Sequence, residues 1–260
     1  MWRVPSAASV AAFMSGRVSP AAFVALRHPR TRPQTLRHCD PPLLAQEIWA
    51  AGVTYRRSAE AWVSDSRRAP SAYDLVYAAP RPQIFFKAAP GGAVGHGGRI
   101  GLRADARITN PEAELVVVAD PKGRPIGYTL GNDVSARDIE AENPLYQPQS
   151  KVFTGSAAIG PCLVIATPDV RPLAWRVNLT ISRKGKAVFA GECGFSQLKR
   201  SIREILGALY ASHDMPGGAA CFTGTGIVVP DEWALEPGDR VAIVCPEIGE
   251  LVNVARRLRR

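Results

Sequence analysis

The apolar positions of this chain fall mostly at strand spacing, and glycine and proline interrupt them at short intervals. Val116 to Ala119 form a compact apolar run that ends at the turn signal Asp120-Pro121-Lys122-Gly123, with a second strand predicted over Pro125 to Leu130. These segments read as a hairpin. Val177, Leu179 and Ile181 alternate with polar residues before Lys184-Gly185-Lys186 turns the chain into Ala187 to Gly191, a second hairpin. Pro237-Gly238-Asp239 introduces a further strand in which Val241 and Ile243 share a face. Strong helical spacing begins at Ser196, read as an N-cap. Leu198, Ile202, Ile205, Leu206 and Leu209 then lie on one face until Pro216-Gly217-Gly218 stops the helix. Many short strands and few helices predict an α+β, predominantly β fold rather than an alternating βαβ one.

Ahead of the strand-like run Ile48 to Val53 the composition changes. Met1 to Cys39 carries no acidic residue and is rich in Ala, Ser, Pro and Arg. Val10 to Met14 and Pro20 to Leu26 read as helices of a small N-terminal segment, favoured over a targeting peptide of similar composition. A linker over about 30–42 then divides a short or truncated segment, 1–42, from the domain expected to be catalytic, 43–260. With 260 residues and 46% hydrophobic content the chain can bury its own core. No stretch approaches the roughly 20 apolar residues of a membrane span. The charge of +9 is spread over arginines set among Pro and Ala, apart from Arg256, Arg257, Arg259 and Arg260, so a solvated tail is favoured over a nucleic-acid partner. The five cysteines are an odd number without a CxxC pair, which fits reduced thiols and a cytoplasmic protein.

Candidate chemistry concentrates in Asn110-Pro111-Glu112-Ala113-Glu114-Leu115, which runs directly into the first hairpin. Residues two apart in a strand project to the same face, so Glu112 and Glu114 present two carboxylates side by side. An exposed acidic strand start would account for the pair. So would a hard cation such as Mg2+, Mn2+ or Ca2+, which relieves the repulsion through oxygen coordination. In Gly131-Asn132-Asp133-Val134-Ser135-Ala136-Arg137-Asp138, at the end of the hairpin's second strand, Asp133 stands where it can complete a three-carboxylate site. The glycines of Gly91-Gly92-Ala93-Val94-Gly95-His96-Gly97-Gly98 lack the order of a phosphate-binding loop, so they read as a turn and His96 as a structural or loop residue. The absence of Gly-x-Ser-x-Gly and of an evident triad partner for any of the four histidines argues against a serine hydrolase. Lys87 and Lys151 each read alone as surface groups; beside a metal and an anionic substrate, a lysine binds carboxylate or acts as a base.

Together these segments resemble the fumarylacetoacetate hydrolase superfamily. Its pattern of Phe-x-Lys, Glu-x-Glu before a strand, Asp-x-Ser/Thr-Ala-Arg-Asp, a lysine and a late Gly-Thr stands here, in order, as Phe85-Phe86-Lys87, Glu112-Ala113-Glu114, Asp133 to Asp138, Lys151 and Gly224-Thr225. Within the superfamily the chain is most similar to the keto-deoxy-pentonate dehydratases, through Arg81 to Lys87, Val94-Gly95-His96-Gly97 and the run Asp133 to Lys151. The resemblance implies a mixed β-sandwich roll with few helices and a homo-oligomer. It implies Mg2+ on Glu112, Glu114 and Asp133, with Lys151, Lys87, Arg137 and Thr225 lining the site of a small 2-keto acid; Lys151 is the expected catalytic base. The expected reaction is dehydration of a 2-keto-3-deoxypentonate to 2,5-dioxopentanoate in sugar-acid catabolism. The alternatives are acylpyruvate or fumarylacetoacetate-type hydrolysis, oxaloacetate-type decarboxylation, and metal and keto-acid binding without turnover. Two departures bear on the choice. Gly52 to Glu60 lacks the histidine that many hydrolases of the superfamily place there, and the connection from Glu114 to Asp133 is short, as in the dehydratase-like members; Gln83, in turn, stands where the dehydratases are expected to carry an acid.

Overall fold

In the computed structural model, residues 2–3, 6–26, 30–31, 37–55, 72–230 and 233–259 are described. The chain begins with β1 (Trp2–Arg3), α1 (Ala7–Met14), α2 (Pro20–Ala25), β2 (Arg30–Thr31), β3 (Glu47–Gly52), α3 (Ala72–Ala78), β4 (Gln83–Ala88), β5 (Arg99–Leu102) and β6 (Thr109–Asn110). The first hairpin follows as β7 (Ala113–Ala119) and β8 (Pro125–Asp133), and after it come β9 (Ser135–Ala136), α4 (Arg137–Glu142), α5 (Gln147–Lys151) and β10 (Ala157–Ile165). The last part holds β11 (Arg176–Arg183), β12 (Lys186–Gly194), α6 (Ile202–Leu209), β13 (Ala219–Thr225), β14 (Arg240–Cys245) and β15 (Gly249–Arg257).

Two mixed sheets make the body. One has six strands in the order β10-β8-β7-β13-β3-β4, with β13 parallel to β3; the other has five in the order β12-β11-β14-β15-β5, with β15 parallel to β5. The expected β-rich sandwich with few helices is the observed architecture. Strand alternation assigns the layers. Leu115 and Val117 on β7 pack with Leu179, Ile181, Val241 and Ile243 of the second sheet, whereas Val116 and Val118 point the other way. There they meet Ile48, Phe222, Ile159 and the aromatic side chains of α1 and α2. The six-stranded sheet is therefore covered on both faces, which is why β7 reads as an unbroken apolar run and is buried throughout.

The predicted N-terminal helices are present and use Phe13 and Phe23, stacked at 4.3 Å, to cover that sheet. Both predicted hairpins form. In the second, Arg183 pairs directly with Lys186 across Lys184 and Gly185, whose φ of 50° and 80° match the turn type that suits strand twist. The helix prediction needs correction at both ends. Ser201, not Ser196, is the N-cap of α6, because Ser201 and Glu204 form a reciprocal capping box. Phe195–Gln197 is a separate 3-10 turn, Leu198 pairs with Tyr55 across a β-bridge, and α6 ends at Leu209, well before Pro216. The Gly91 to Gly98 segment is a loop, as read from its sequence. A Cβ at Gly95 would come within 1.8 Å of the Cys39 carbonyl oxygen, so glycine there lets the incoming chain pass. His96 Nδ1 lies 2.7 Å from the Glu250 carbonyl oxygen, a loop contact.

Leu179 lies wholly buried between the sheets. Leu179→Ala is expected to destabilise the protein by about 2–5 kcal/mol, read as a lower midpoint with an unchanged slope in urea unfolding.

Candidate active site

The register of the six-stranded sheet assembles the acidic residues. Glu114 on β7 stands opposite Gly131 on β8 and Thr225 on β13, and the Asp133 amide donates to the Glu112 carbonyl at 2.9 Å. Glu112, Glu114 and Val116 share one face by alternation, so the stripe that packs under α1 and α2 turns from apolar to acidic at its end. One oxygen from each of Glu112, Glu114 and Asp133 lies within 4.8 Å of the others. Glu114 and Asp133 are each 1% exposed, so the exposed-strand-start alternative fails for them.

Burying carboxylates demands compensation, and two lysines supply it. Lys151, at the end of α5, places Nζ 2.9 Å from Glu112 Oε2, 3.2 Å from Asp133 Oδ2 and 2.6 Å from Ser135 Oγ. Lys87 on β4 places Nζ 2.6 Å from Asp133 Oδ1, and donates to the carbonyls of Val134 at 3.1 Å and of Lys151. Glu114 takes a 2.6 Å hydrogen bond from the Gly224 amide. Gly224 has φ +93°, and a Cβ there would fall 1.9 Å from Thr54 Oγ1, so this donor needs glycine.

The charge states follow from these contacts. Burial raises the Glu114 carboxyl well above its usual range, and the neighbouring charges of Asp133 and Glu112 push the same way. Burial would also raise Asp133, but the nearby ammonium groups of Lys151 and Lys87 and their hydrogen bonds outweigh it and lower its pKa. Burial of Lys151 favours the neutral amine, yet Asp133, Glu112 and Glu140 overcome it and hold Lys151 well above the ordinary lysine value. Burial dominates at Lys87 and lowers it.

These groups border a cleft of about 680 Å³, counting its open mouth. Its wall includes Glu112, Glu114, Asp133, Lys151, Arg137 and Thr225. Arg137 bridges Glu112 Oε1 at 3.5 Å and Glu140 Oε2 at 3.2 Å. The Thr225 hydroxyl donates to the Ala113 carbonyl at 3.0 Å, so it braces the start of β7 as well as bordering the cleft. Lys87 differs from its expected place. Fully buried behind Asp133, it does not form part of the cleft wall. Sequence reasoning missed Tyr73, Ser135 and Glu140. Glu140 has a visible signal, the i,i+3 spacing to Arg137 on α4; Tyr73 has none. Arg56 to Glu60, in the segment whose lack of histidine was noted, lie outside the described residues.

Residues 47–256 match the family Fumarylacetoacetate (FAA) hydrolase C-terminal. The chain belongs to this family. It is 39% identical over 224 residues to 2-dehydro-3-deoxy-D-arabinonate dehydratase of Saccharolobus solfataricus, covering 85% of this chain and 74% of that protein. It is 41% identical over 217 residues to a Haloferax volcanii protein named "Probable 2-keto-3-deoxyxylonate dehydratase", covering 84% and 74%. Among solved structures, 2-keto-3-deoxy-D-arabinonate dehydratase complexed with magnesium and 2,5-dioxopentanoate superposes with a TM-score of 0.76 at 39% identity, over 85% of this chain and 75% of that one.

Among the described residues Lys87 is the cation that pairs with Asp133 Oδ1, so Lys87→Met is expected to destabilise the metal-free protein by about 3–5 kcal/mol. A divalent cation should raise the melting temperature of this variant more than that of the wild type, which differential scanning fluorimetry with and without chelator will read.

Proposed function

We infer that the protein is a magnesium-dependent hydro-lyase that converts a 2-keto-3-deoxypentonate to 2,5-dioxopentanoate and water. The observation that carries this reading is the buried carboxylate cluster with a lysine at its centre, opening on a cleft, in a chain about 40% identical to dehydratases of such acids. Three all-oxygen donors that cluster within 4.8 Å fit a hard cation, so Glu112, Glu114 and Asp133 are the residues that would hold it, with Mg2+ favoured over Mn2+ or Ca2+. Bound there, magnesium supplies positive charge that polarises the 2-keto group and acidifies the C3 hydrogens.

The chain's own residues do the rest. Lys151 is the one lysine that borders the cleft among the described residues, and it takes the C3 proton as the neutral amine, after the carboxylates that hold its ammonium have turned to the cation and it has released its own proton to solvent. Arg137, fixed between Glu112 and Glu140, presents a guanidinium to the substrate carboxylate. Thr225 orders the β13 end of the cleft, and Lys87 keeps Asp133 ionised and in place rather than touching substrate. The proton taken from C3 leaves with the C4 hydroxyl as water, giving a C3–C4 double bond, and tautomerisation that moves a hydrogen from C5 to C3 and the C5 hydroxyl hydrogen to C4 gives 2,5-dioxopentanoate, a ketone at C2 and an aldehyde at C5. Residues 43–260 form the catalytic domain on this reading, with α1 and α2 of the 1–42 segment covering one face of its sheet. The same reading makes the protein a cytoplasmic homo-oligomer without nucleic-acid or membrane partners; the five free cysteines are in keeping with it, and no described helix is long and apolar enough to cross a membrane.

Mass spectrometry of the products from 2-keto-3-deoxy-D-arabinonate and its xylonate-derived equivalent tests the reaction. The expected result is loss of one water, abolished by chelator; carbon–carbon cleavage products would establish the hydrolase or decarboxylase alternative, and metal and keto-acid binding without turnover a binding protein. Two variants test the residues. Glu114→Ala should lose the calorimetric signal of Mg2+ binding, and Lys151→Ala should lower kcat by about 10²- to 10⁴-fold while the product stays the same.

A further inference from the structure

Strand β6 is only two residues long, but its backbone is well anchored. The Ile108 carbonyl accepts from the Arg137 amide at 2.9 Å, the Thr109 carbonyl accepts from the Leu235 amide at 3.0 Å, and Asn110 pairs with Ser135 of β9. Pro111 follows and favours the extended backbone that the pairing needs. The Asn110 side chain takes no part in this. It is 2% exposed and borders the cleft, yet neither its Nδ2 nor its Oδ1 has a hydrogen-bond partner among the described residues.

A buried amide left unmet is costly, and a leucine of similar volume would avoid the cost. The charged groups of the same wall are engaged. Lys151 pairs with Glu112 and Asp133, Arg137 spans Glu112 and Glu140, and Glu114 accepts from the Gly224 amide. Asn110 is about as closed to water as Glu114 and Asp133, the carboxylates that would take the cation, and it differs from them in having nothing to bind in the ligand-free protein.

Its place beside the proposed base follows from the strand pairing. Residues opposed across an antiparallel pair project to one side with Cβ atoms about 4.5–5.5 Å apart, so the Asn110 amide neighbours the Ser135 hydroxyl. Ser135 Oγ lies 2.6 Å from Lys151 Nζ and donates its own hydrogen to the Asp133 carbonyl at 3.0 Å. In the dehydratase reading, on which this inference rests, Lys151 takes the C3 proton and that proton leaves with the C4 hydroxyl. The amine must therefore reach both C3 and the C4 oxygen, and a group set beside Lys151 is set beside the C4–O bond.

A hydroxyl is acceptor and donor at once, and a primary amide, with N–H and C=O on one carbon, is its complement. We propose that Asn110 binds the C4 hydroxyl, the leaving group: Nδ2 donates to its oxygen and Oδ1 accepts its hydrogen. Negative charge that grows on this oxygen as the C4–O bond breaks strengthens the bond from Nδ2, so the contact favours the transition state over the bound substrate. The amide itself gains and loses no proton, and Arg137 keeps the carboxylate end.

The test uses the enzyme with Mg2+ and two ligands of equal chain length: the 2-keto-3-deoxypentonate as substrate and 2-oxopentanoate, which has no hydroxyls, as competitive inhibitor. Asn110→Leu is expected to lower kcat by about 10- to 100-fold, the loss of one to two hydrogen bonds, while the inhibition constant of 2-oxopentanoate stays unchanged. The melting temperature of the ligand-free variant should be unchanged or higher, because an unmet buried group has gone. Asn110→Ala, which asks for no extra room, should show the same split between kcat and the inhibition constant. Full kcat in either folded variant, which would mean that the amide holds an ordered water only, overturns the assignment and leaves the dehydratase reading intact. So does an equal weakening of substrate and 2-oxopentanoate. A wild type that does not dehydrate the pentonate overturns that reading, and this one with it.

Discussion

Glu114 and Asp133 lie almost wholly out of water at the end of a sheet whose remaining positions on that face are apolar, and the arrangement of the site follows from how their charge is accommodated. An isolated buried carboxylate costs several kcal/mol, more than any single packing contact returns. The protein meets this with ammonium groups brought from opposite sides, Lys87 from a sheet edge and Lys151 from a short helix, and with the Gly224 amide. Glu112, half-turned to the cleft, shares Lys151 and faces Arg137. The cluster is thus a compact alternation of anions and cations, in which replacing any one charge changes the protonation of its neighbours.

The double-covered sheet is what makes such a cluster possible. A one-residue change in the register of β7 would exchange Leu115 and Val117 for Val116 and Val118, and would turn Glu112 and Glu114 into the apolar layer between the sheets. Register is therefore fixed twice, by the apolar residues on both faces and by the need to keep the carboxylates on the side of the cleft. The turn at Asp120 secures it further. Asp120 Oδ1 accepts from the amides of Lys122 and Arg124, and the carboxylate pairs with the Arg124 guanidinium, so the hairpin that carries Glu114 and Asp133 is closed by polar contacts as well as by packing.

Much of this was readable from the residues. Strand alternation and turn residues located both hairpins, and Glu112, Glu114 and Asp133 were found because spacing along one hairpin determines their approach. Where the reading departed, a tertiary or capping interaction decided. Periodicity carried α6 back to Ser196, but Leu198 satisfies its backbone against Tyr55, far away in sequence, and the capping box at Ser201 fixes the start. Tyr73 is carried by a helix whose approach depends on Lys199 and Arg200, more than a hundred residues later, and no local pattern announces such a contact.

Lys87 shows how a residue can be recognised and its place still be misread. A lysine at the end of Phe85-Phe86 was expected on the substrate wall, yet its side chain runs inward and its Nζ reaches both the Asp133 carboxylate and the carbonyl of Lys151. One ammonium therefore ties a carboxylate of the cluster to the last residue of the helix that delivers the proposed base. Because those two groups share a buried anchor, their separation is set by a single side chain rather than by two independently packed elements. A lysine that lines a pocket can be exchanged for another cation with some loss of affinity, but one that spans two backbone elements at this depth sets geometry, and an arginine or a shorter chain at position 87 would move Asp133 and Lys151 together.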